Sequence, residues 1–178
     1  MKNVLIISSS LRKNSNSEML AKAFAEGAEK AGNNVETISL RDKNIGFCIG
    51  CLSCQNSLKC VINDDAVSIA EKMKNSDVLV FATPIYYYEM AGQLKVLLDR
   101  MNPLYSSDYK FREVYVLSTA AEDEESVPDR AVNGICGWID CFEKASLAGS
   151  LFCGGVTSPA EIKGNKVLEK AFEMGERI

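Results

Sequence analysis

The chain opens with the stretch Val4-Leu5-Ile6-Ile7-Ser8-Ser9-Ser10-Leu11-Arg12-Lys13-Asn14-Ser15-Asn16-Ser17. A short apolar run gives way to a polar turn, and helical periodicity begins directly afterwards. The first N–H groups of a helix lack intrahelical partners, and the helix dipole is positive there, so this arrangement suits a phosphate group. The donors offered by the turn are Ser10, Arg12, Ser15, Asn16 and Ser17. We therefore predict an anion site between the first strand and the first helix.

The turn lacks two familiar nucleotide-binding patterns. It contains neither the Gly-x-Gly-x-x-Gly of dinucleotide folds nor the Gly-Lys-Ser/Thr of P-loop nucleotidases. This absence favours the single phosphate of flavin mononucleotide (FMN), which hydroxyls and backbone N–H groups can hold without lysine or magnesium. The alternative is an ordinary strand–helix turn in which Ser15 or Asn16 only caps the helix.

Composition narrows the class of protein. The 178 residues suit one domain spanning 1–178, and a net charge of −4 without a basic stripe disfavours nucleic acid or an anionic membrane as a partner. No apolar run reaches the length of a membrane span, and Met1-Lys2-Asn3 leads straight into a strand, so we expect a cytoplasmic protein. Histidine is absent, which excludes Ser-His and Cys-His catalysis. We expect a cofactor to carry the chemistry, with no catalytic side chain.

Apolar strand-like runs alternate with helical patterns along the whole chain. The predicted strands are Asn3–Ser8, Asn34–Leu40, Asp77–Ala82, Glu113–Ser118 and Leu147–Cys153. The predicted helices are Ser15–Ala31, Asp65–Asn75, Gly92–Met101, Val127–Lys144 and Asn165–Arg177. This alternation predicts an α/β fold, a three-layer α/β/α sandwich around a five-stranded parallel sheet of order 2-1-3-4-5. In that order a ligand lies at the carboxyl ends of strands one and three.

A second motif follows the third strand, Ala82-Thr83-Pro84-Ile85-Tyr86-Tyr87-Tyr88-Glu89-Met90. In the predicted strand order it lies beside the phosphate turn, where its tyrosines would form a flat aromatic wall. Clustered tyrosines by themselves are more often core or interface residues. Their place next to the turn favours a ligand wall.

With these motifs the chain resembles the flavodoxin-like NAD(P)H-dependent FMN reductases, a family that includes the iron–sulfur flavoproteins. The matching features are Ser10 to Ser17, Cys60-Val61-Ile62-Asn63-Asp64-Asp65, Thr83-Pro84-Ile85-Tyr86, and Leu94-Lys95 with Asp99-Arg100. The resemblance implies non-covalent FMN, NAD(P)H as electron donor, and a phosphate held by Ser10, Arg12, Ser15, Asn16 and Ser17. It further implies that Pro84, Ile85, Tyr86 and Tyr87 meet the ring and ribityl chain, and that Ser118, Thr119 and Ala120 close the other side.

The long connection at about 41–64 carries four cysteines, Cys48, Cys51, Cys54 and Cys60. Their spacing resembles the compact motif of the iron–sulfur flavoproteins and could hold a four-iron cluster. Zinc is disfavoured, because structural zinc sites use two cysteine pairs with a longer insertion. The alternative is that these are free thiols in a loop that packs against another subunit.

We therefore predict an FMN-dependent oxidoreductase that passes electrons from NAD(P)H to a small acceptor (a flavin, a quinone, a nitro or azo compound) or to a carrier protein. One alternative is an iron–sulfur flavoprotein that uses FMN plus the four-cysteine cluster for single-electron transfer. Another is a non-enzymatic flavin-binding electron carrier. The resemblance also implies a homodimer or a dimer of dimers, with contacts at Tyr86-Tyr87-Tyr88 and Phe47 to Leu58.

Overall fold

The protein, described here by a computed structural model of all residues from Met1 to Ile178, is built around one twisted sheet with helices on both faces. The strands are β1 Asn3–Ser8, β2 Asn34–Ser39, β3 Val78–Tyr86, β4 Glu89–Met90, β5 Glu113–Thr119 and β6 Ser146–Cys153. The helices are α1 Asn16–Lys30, α2 Cys54–Ser57, α3 Asp65–Asn75, α4 Gly92–Asp99, α5 Asn102–Tyr105, α6 Asp129–Ile139 and α7 Val167–Glu176. No helix is both long enough and apolar enough to cross a membrane.

The sheet order is β2-β1-β3-β5-β6, and all of these pairs are parallel. The three-layer α/β class and the order of the five parallel strands agree with the prediction. The sheet has one further strand, because β3 continues past Ala82 to Tyr86 and turns back into β4. Pro84, Ile85 and Tyr86 are therefore strand residues, whereas the sequence placed them after the strand.

The alternation of side chains along β1 explains why two helical layers are needed. Val4 and Ile6 pack toward α1 and α7, while Leu5 and Ile7 pack toward α3, α4 and α6. A strand buried on both faces has no polar alternation, which is why its sequence is a continuous apolar run. The order of strands then brings the carboxyl ends of β1, β3 and β5 to one edge.

Helices α1 and α7 approach each other very closely at two glycines. A Cβ atom on Gly27 would lie 2.0 Å from the backbone oxygen of Phe172, and one on Gly175 would lie 2.1 Å from that of Phe24. Gly137, on the exposed part of α6, has nothing within 4 Å of the corresponding position.

This difference gives a matched pair of variants. Gly27→Ala is expected to lower the free energy of unfolding by about 1–3 kcal/mol, since the two backbones must separate. Gly137→Ala is expected to raise it by about 0.5–1 kcal/mol, because alanine loses less entropy in a helix. Urea denaturation of both variants measures the two changes. An unchanged free energy of unfolding in Gly27→Ala would contradict the close approach of α1 and α7.

Candidate functional site

A cleft of about 200 Å³ opens at the carboxyl ends of β1, β3 and β5, where the sheet order changes direction. The predicted site residues that line it are Ser10, Arg12, Ser15, Asn16, Ser17, Pro84, Ile85, Tyr86, Thr119 and Ala120. The structure therefore brings together residues from three separate parts of the chain. Ser118 lies one residue deeper in β5 and is buried without lining the cleft, and Tyr87 lies at its outer side.

The polar end of the cleft is the turn before α1. Ser15 caps the helix, accepting a hydrogen bond from the N–H of Glu18 at 3.2 Å, and the Ser10 hydroxyl accepts from the N–H of Arg12 at 3.3 Å. The N–H groups of Asn16 and Ser17 have no acceptor within the chain. These two donors point from the positive end of α1, so the turn can bind an anion through its backbone.

Two of the predicted phosphate ligands also contact the segment after β6. The Arg12 guanidinium donates to the carbonyl of Thr157 at 2.8 Å, and the Asn16 amide donates to the carbonyl of Ser158 at 3.0 Å. The Asn16 side-chain oxygen accepts from the N–H of Ile162 at 3.2 Å. Both side chains therefore hold the segment after β6 against the turn. The Arg12 guanidinium keeps further N–H donors and lines the cleft together with Ser10, Ser15 and Ser17.

The segment after β6 adds wall residues that the sequence did not indicate. Val156, Thr157 and Pro159 line the cleft. The N–H groups of Ser158 and Thr157 donate to the Glu161 carboxylate at 2.7 and 2.6 Å, which lowers its pKa. The available signal was the short run Thr157-Ser158-Pro159, which begins four residues after the last strand ends, at the same edge as the phosphate turn.

The cleft continues into an apolar recess of about 290 Å³. Ile85, Tyr86, Ala120 and Ala121 line both spaces, and the recess adds Tyr87, Tyr88, Glu122 and Val127. One end of the combined space is therefore polar and the other is flat and apolar. That arrangement suits a ligand with a phosphate at one end and an aromatic ring system at the other.

The recess is bordered by the β3–β4 hairpin, whose turn residues are both tyrosines. Tyr87 and Tyr88 have φ angles of 50° and 65°, in the left-handed region that favours glycine and asparagine. The Tyr88 hydroxyl donates to Glu122 at 2.7 Å, and this hydrogen bond raises the pKa of Tyr88. Tyr87 is 98% exposed. Contacts with the neighbouring loop, rather than turn propensity, hold this conformation.

The positive φ angle of the exposed Tyr87 predicts that a suitable substitution there raises the free energy of unfolding. Tyr87→Asn is expected to raise the free energy of unfolding by about 0.5–1 kcal/mol, since asparagine tolerates a left-handed conformation that costs other residues about 1–2 kcal/mol. Tyr105→Asn, at another exposed tyrosine that lacks a positive φ, is the control and should give no gain. Thermal denaturation of both variants measures the effect, and equal changes would count against backbone strain at Tyr87.

The four cysteines of the segment Gly46 to Asp64 face one cavity of about 350 Å³. Cys48 and Cys51 are exposed, Cys60 is half-buried and Cys54 is buried. Hydrogen bonds from the Ser53 backbone and side chain lower the pKa of Cys51. Residue type, number and shared cavity suit a metal cluster, although no three His, Cys, Asp or Glu side chains converge closely enough to hold a metal ion in this conformation.

Arg100, at the end of α4, joins the two ends of this segment. Its guanidinium pairs with both oxygens of Asp64 at 2.7 and 3.0 Å and also donates to the carbonyls of Gly46 at 2.8 Å and Ile62 at 3.0 Å. The Arg100 side chain is fully buried. The hydrogen bond to Asp64 raises the pKa of Arg100, and the nearby Cys60 thiol acts in the same direction. The sequence contains both partners but does not indicate that they pair.

Comparison with known proteins agrees with this geometry. A family profile described as NADPH-dependent FMN reductase matches residues 2–141. The chain belongs to this family. It is therefore an FMN-containing oxidoreductase that takes electrons from NAD(P)H, and the predictions of family, FMN and NAD(P)H are confirmed.

Individual relatives differ in how much of the chain they match. An iron–sulfur flavoprotein of Archaeoglobus fulgidus is 35% identical over 180 residues, covering 100% of this chain and 79% of that protein. An iron–sulfur flavoprotein of Methanocaldococcus jannaschii is 39% identical over 101 residues, which is 57% of this chain and 52% of that protein. A Bacillus anthracis azoreductase structure covers 100% of both chains with a TM-score of 0.75 at 13% identity, and shows the same fold.

The cleft of this FMN reductase fits the cofactor on its own geometry. Two unpaired N–H groups and buried hydroxyls lie at the polar end, and apolar walls suited to a ring lie at the other. The individual contacts assigned to Ser10, Arg12, Ser15, Asn16, Ser17, Pro84, Ile85, Tyr86, Tyr87, Ser118, Thr119 and Ala120 stay predictions.

Proposed function

We propose that this FMN reductase passes electrons from NAD(P)H to a small, flat, oxidised acceptor such as a quinone, a free flavin, or a nitro or azo compound. The observation that carries the proposal is the apolar recess, whose inner part would hold the flavin ring and whose outer border is the exposed Tyr87, beside which a flat acceptor could stack on that ring. An open recess with flat apolar walls suits an aromatic acceptor better than a charged one. A carrier protein is the other acceptor to be tested.

The proposed roles of the chain's own residues are binding, orientation and exclusion of water. The backbone N–H groups of Asn16 and Ser17 would hold the phosphate, together with the hydroxyls of Ser10, Ser15 and Ser17 and the guanidinium of Arg12. Pro84, Ile85 and Tyr86 would border the ring, and Thr119 and Ala120 would close the opposite side. FMN, when bound, supplies the hydride and electron chemistry, so the protein needs no histidine.

Steady-state kinetics under anaerobic conditions tests the acceptor. The FMN-loaded protein is mixed with NADPH or NADH and with menadione, free FMN or a nitroaromatic compound, and nicotinamide oxidation is followed at 340 nm. We expect turnover with the aromatic acceptors. A protein that is reduced by a partner but never oxidises either nicotinamide would be an electron carrier, and that result would reject the proposal.

We further propose a homodimer or a dimer of dimers in the cytoplasm. Large apolar side chains are exposed on the cysteine segment and on the tyrosine hairpin, namely Phe47, Ile49, Leu52, Leu58, Val61, Tyr86, Tyr87 and Tyr88. Such surfaces are typical of contacts between subunits. Sedimentation velocity of the flavin-loaded protein tests the proposal, and a monomer at micromolar concentration would reject it.

The cysteines support the proposed cytoplasmic location. All seven are free thiols, which is typical of proteins in a reducing compartment.

A second function is favoured by a separate observation, the cavity shared by Cys48, Cys51, Cys54 and Cys60. We propose that their thiolates hold an iron–sulfur cluster, as the names of several relatives suggest. Such a cluster supplies single-electron transfer. Absorbance and iron analysis of anaerobically purified protein test it: broad absorption beyond the flavin bands, with about four irons per chain, would support the cluster, and flavin bands alone without iron would reject it.

A further inference from the structure

We infer that Arg100 and Asn102, at the junction of α4 and α5, are positioning residues for the cysteine segment. Arg100 holds the two ends of the segment together, and Asn102 holds the sulfur of Cys54 in its middle. This inference rests on the second proposed function, in which the four cysteines bind a cluster. It concerns two residues that are not themselves cluster ligands.

The case for Arg100 is the set of acceptors that its guanidinium reaches. One nitrogen contacts the Gly46 carbonyl and one oxygen of Asp64, and the other contacts the Ile62 carbonyl and the second oxygen of Asp64. Gly46 precedes the first cysteine and Ile62 follows the last. A planar fork can satisfy these acceptors together, whereas the single ammonium of a lysine cannot. Arg100 thereby fixes the distance between Gly46 and Ile62, the two residues between which all four cysteines lie.

The case for Asn102 is a direct contact with sulfur. Its side-chain amide donates to the Cys54 Sγ at 3.1 Å, and Asn102 lines the cavity that the four cysteines share. Cys54 is the buried member of the four, so its orientation depends on neighbouring side chains rather than on water. Hydrogen bonds to the sulfur of a ligand cysteine help set the reduction potential of a cluster. Asn102 is therefore placed to fix the direction in which the Cys54 sulfur points.

The two residues act from one rigid support. Arg100 directly follows α4 and Asn102 begins α5, and the intervening Met101 is buried in the core. Both contacts therefore originate from backbone on either side of a buried core residue. The cysteine segment itself has only the single turn α2 as regular structure, so its geometry must be imposed from outside.

The experiment compares variants by the reactivity of individual thiols. The full-length, FMN-loaded protein without iron is treated with iodoacetamide, and the labelling rate of each cysteine is read by peptide mass spectrometry. Asn102→Ala and Arg100→Lys are expected to raise the labelling rate of Cys54 at least about tenfold, because the buried Cys54 side chain loses the contacts that keep it away from solvent and becomes accessible to the reagent. The matched controls are Asn56→Ala, whose side chain is exposed, and Arg112→Lys, whose guanidinium contacts nearby carbonyls and the Tyr109 ring. Neither control should change the rate by more than about twofold.

Iron binding is the second readout. After anaerobic reconstitution with ferrous iron and sulfide, Arg100→Lys is expected to retain less than half of the wild-type iron. Asn102→Ala is expected to keep its iron but to shift the midpoint potential to a more negative value, because a donor to sulfur stabilises the reduced cluster.

The outcomes distinguish a failure of the positioning inference from a failure of the cluster proposal on which it rests. Unchanged Cys54 labelling in Asn102→Ala, in protein that binds FMN normally, would overturn the inference. If the wild-type protein takes up no iron, the cluster proposal fails, and the labelling rates alone then support or overturn the positioning roles. If Arg100→Lys does not fold, the Cys54 labelling rate of Asn102→Ala alone supports or overturns the inference.

Discussion

FMN affinity is expected to fall about 100- to 1,000-fold in Ser17→Asp, while riboflavin affinity stays within about threefold. Ser17 is buried in the first turn of α1, where its N–H has no acceptor within the chain. A carboxylate there would sit close to the cofactor phosphate, and two charges 4 Å apart repel by about 4 kcal/mol at an effective dielectric constant near 20. Since about 1.4 kcal/mol is a factor of ten, the upper end of the range follows. Riboflavin lacks the phosphate and avoids this repulsion.

Fluorescence titration of the apoprotein with each flavin measures both affinities. The substitution should not unfold the protein, because an acidic residue in the first turn interacts favourably with the helix dipole. Ser146→Asp adds the same charge at the exposed start of β6, at the opposite edge of the sheet, and should leave both affinities unchanged. An equal loss for riboflavin would indicate damage to the cleft as a whole, and no loss for FMN would mean that the phosphate binds elsewhere.

The parts of the fold that could be predicted are those in which local pattern and tertiary environment agree. Strands covered on both faces read as unbroken apolar runs, and Ser15 before a helical pattern marks the start of α1. The β3–β4 hairpin could not be predicted, since its turn uses Tyr87 and Tyr88 in place of the Asn-Gly that signals such a turn. Contacts from Glu122 override the local preference, and these are invisible in the sequence.

The candidate site likewise contains residues whose place follows from local sequence and contacts that depend on distant parts of the chain. Ser10, Ser15 and Ser17 are close in sequence and share one turn, so their convergence follows from the strand–helix pattern. Arg12 and Asn16 line the cleft as well, and their contacts with the segment after β6 are ones that a local pattern cannot reveal. The contacts of Arg100 with Gly46 and Asp64 also join residues that are far apart in sequence, so a local pattern cannot reveal them.

Loss of the Arg100–Asp64 ion pair is expected to be the most destabilising single change outside the sheet. Asp64→Asn leaves the buried guanidinium without its counter-charge, and breaking one partner of a buried pair costs about 3–5 kcal/mol. Asp99→Asn is the matched control, because it removes the exposed Lys95–Asp99 pair and should cost less than about 0.5 kcal/mol. Urea denaturation near pH 7 measures both changes. A difference below about 1 kcal/mol between the two variants would show that the buried pair is not essential to stability.

The pH dependence provides an independent check on the same pair. Burial opposes the ionisation of Asp64, but hydrogen bonds from Arg100, Gly46 and Ala66 outweigh it and hold its pKa below the usual value. A carboxylate whose pKa is lowered on folding contributes stability above its unfolded pKa, about 3.9, and loses it as the pH falls through the folded value. The gap in stability between the wild-type protein and Asp64→Asn should therefore be largest above about pH 5 and narrow as the pH falls below 4. A gap that instead widened in acid would mean that Asp64 is not held as a carboxylate, and the ion pair could not then be what closes the cysteine segment.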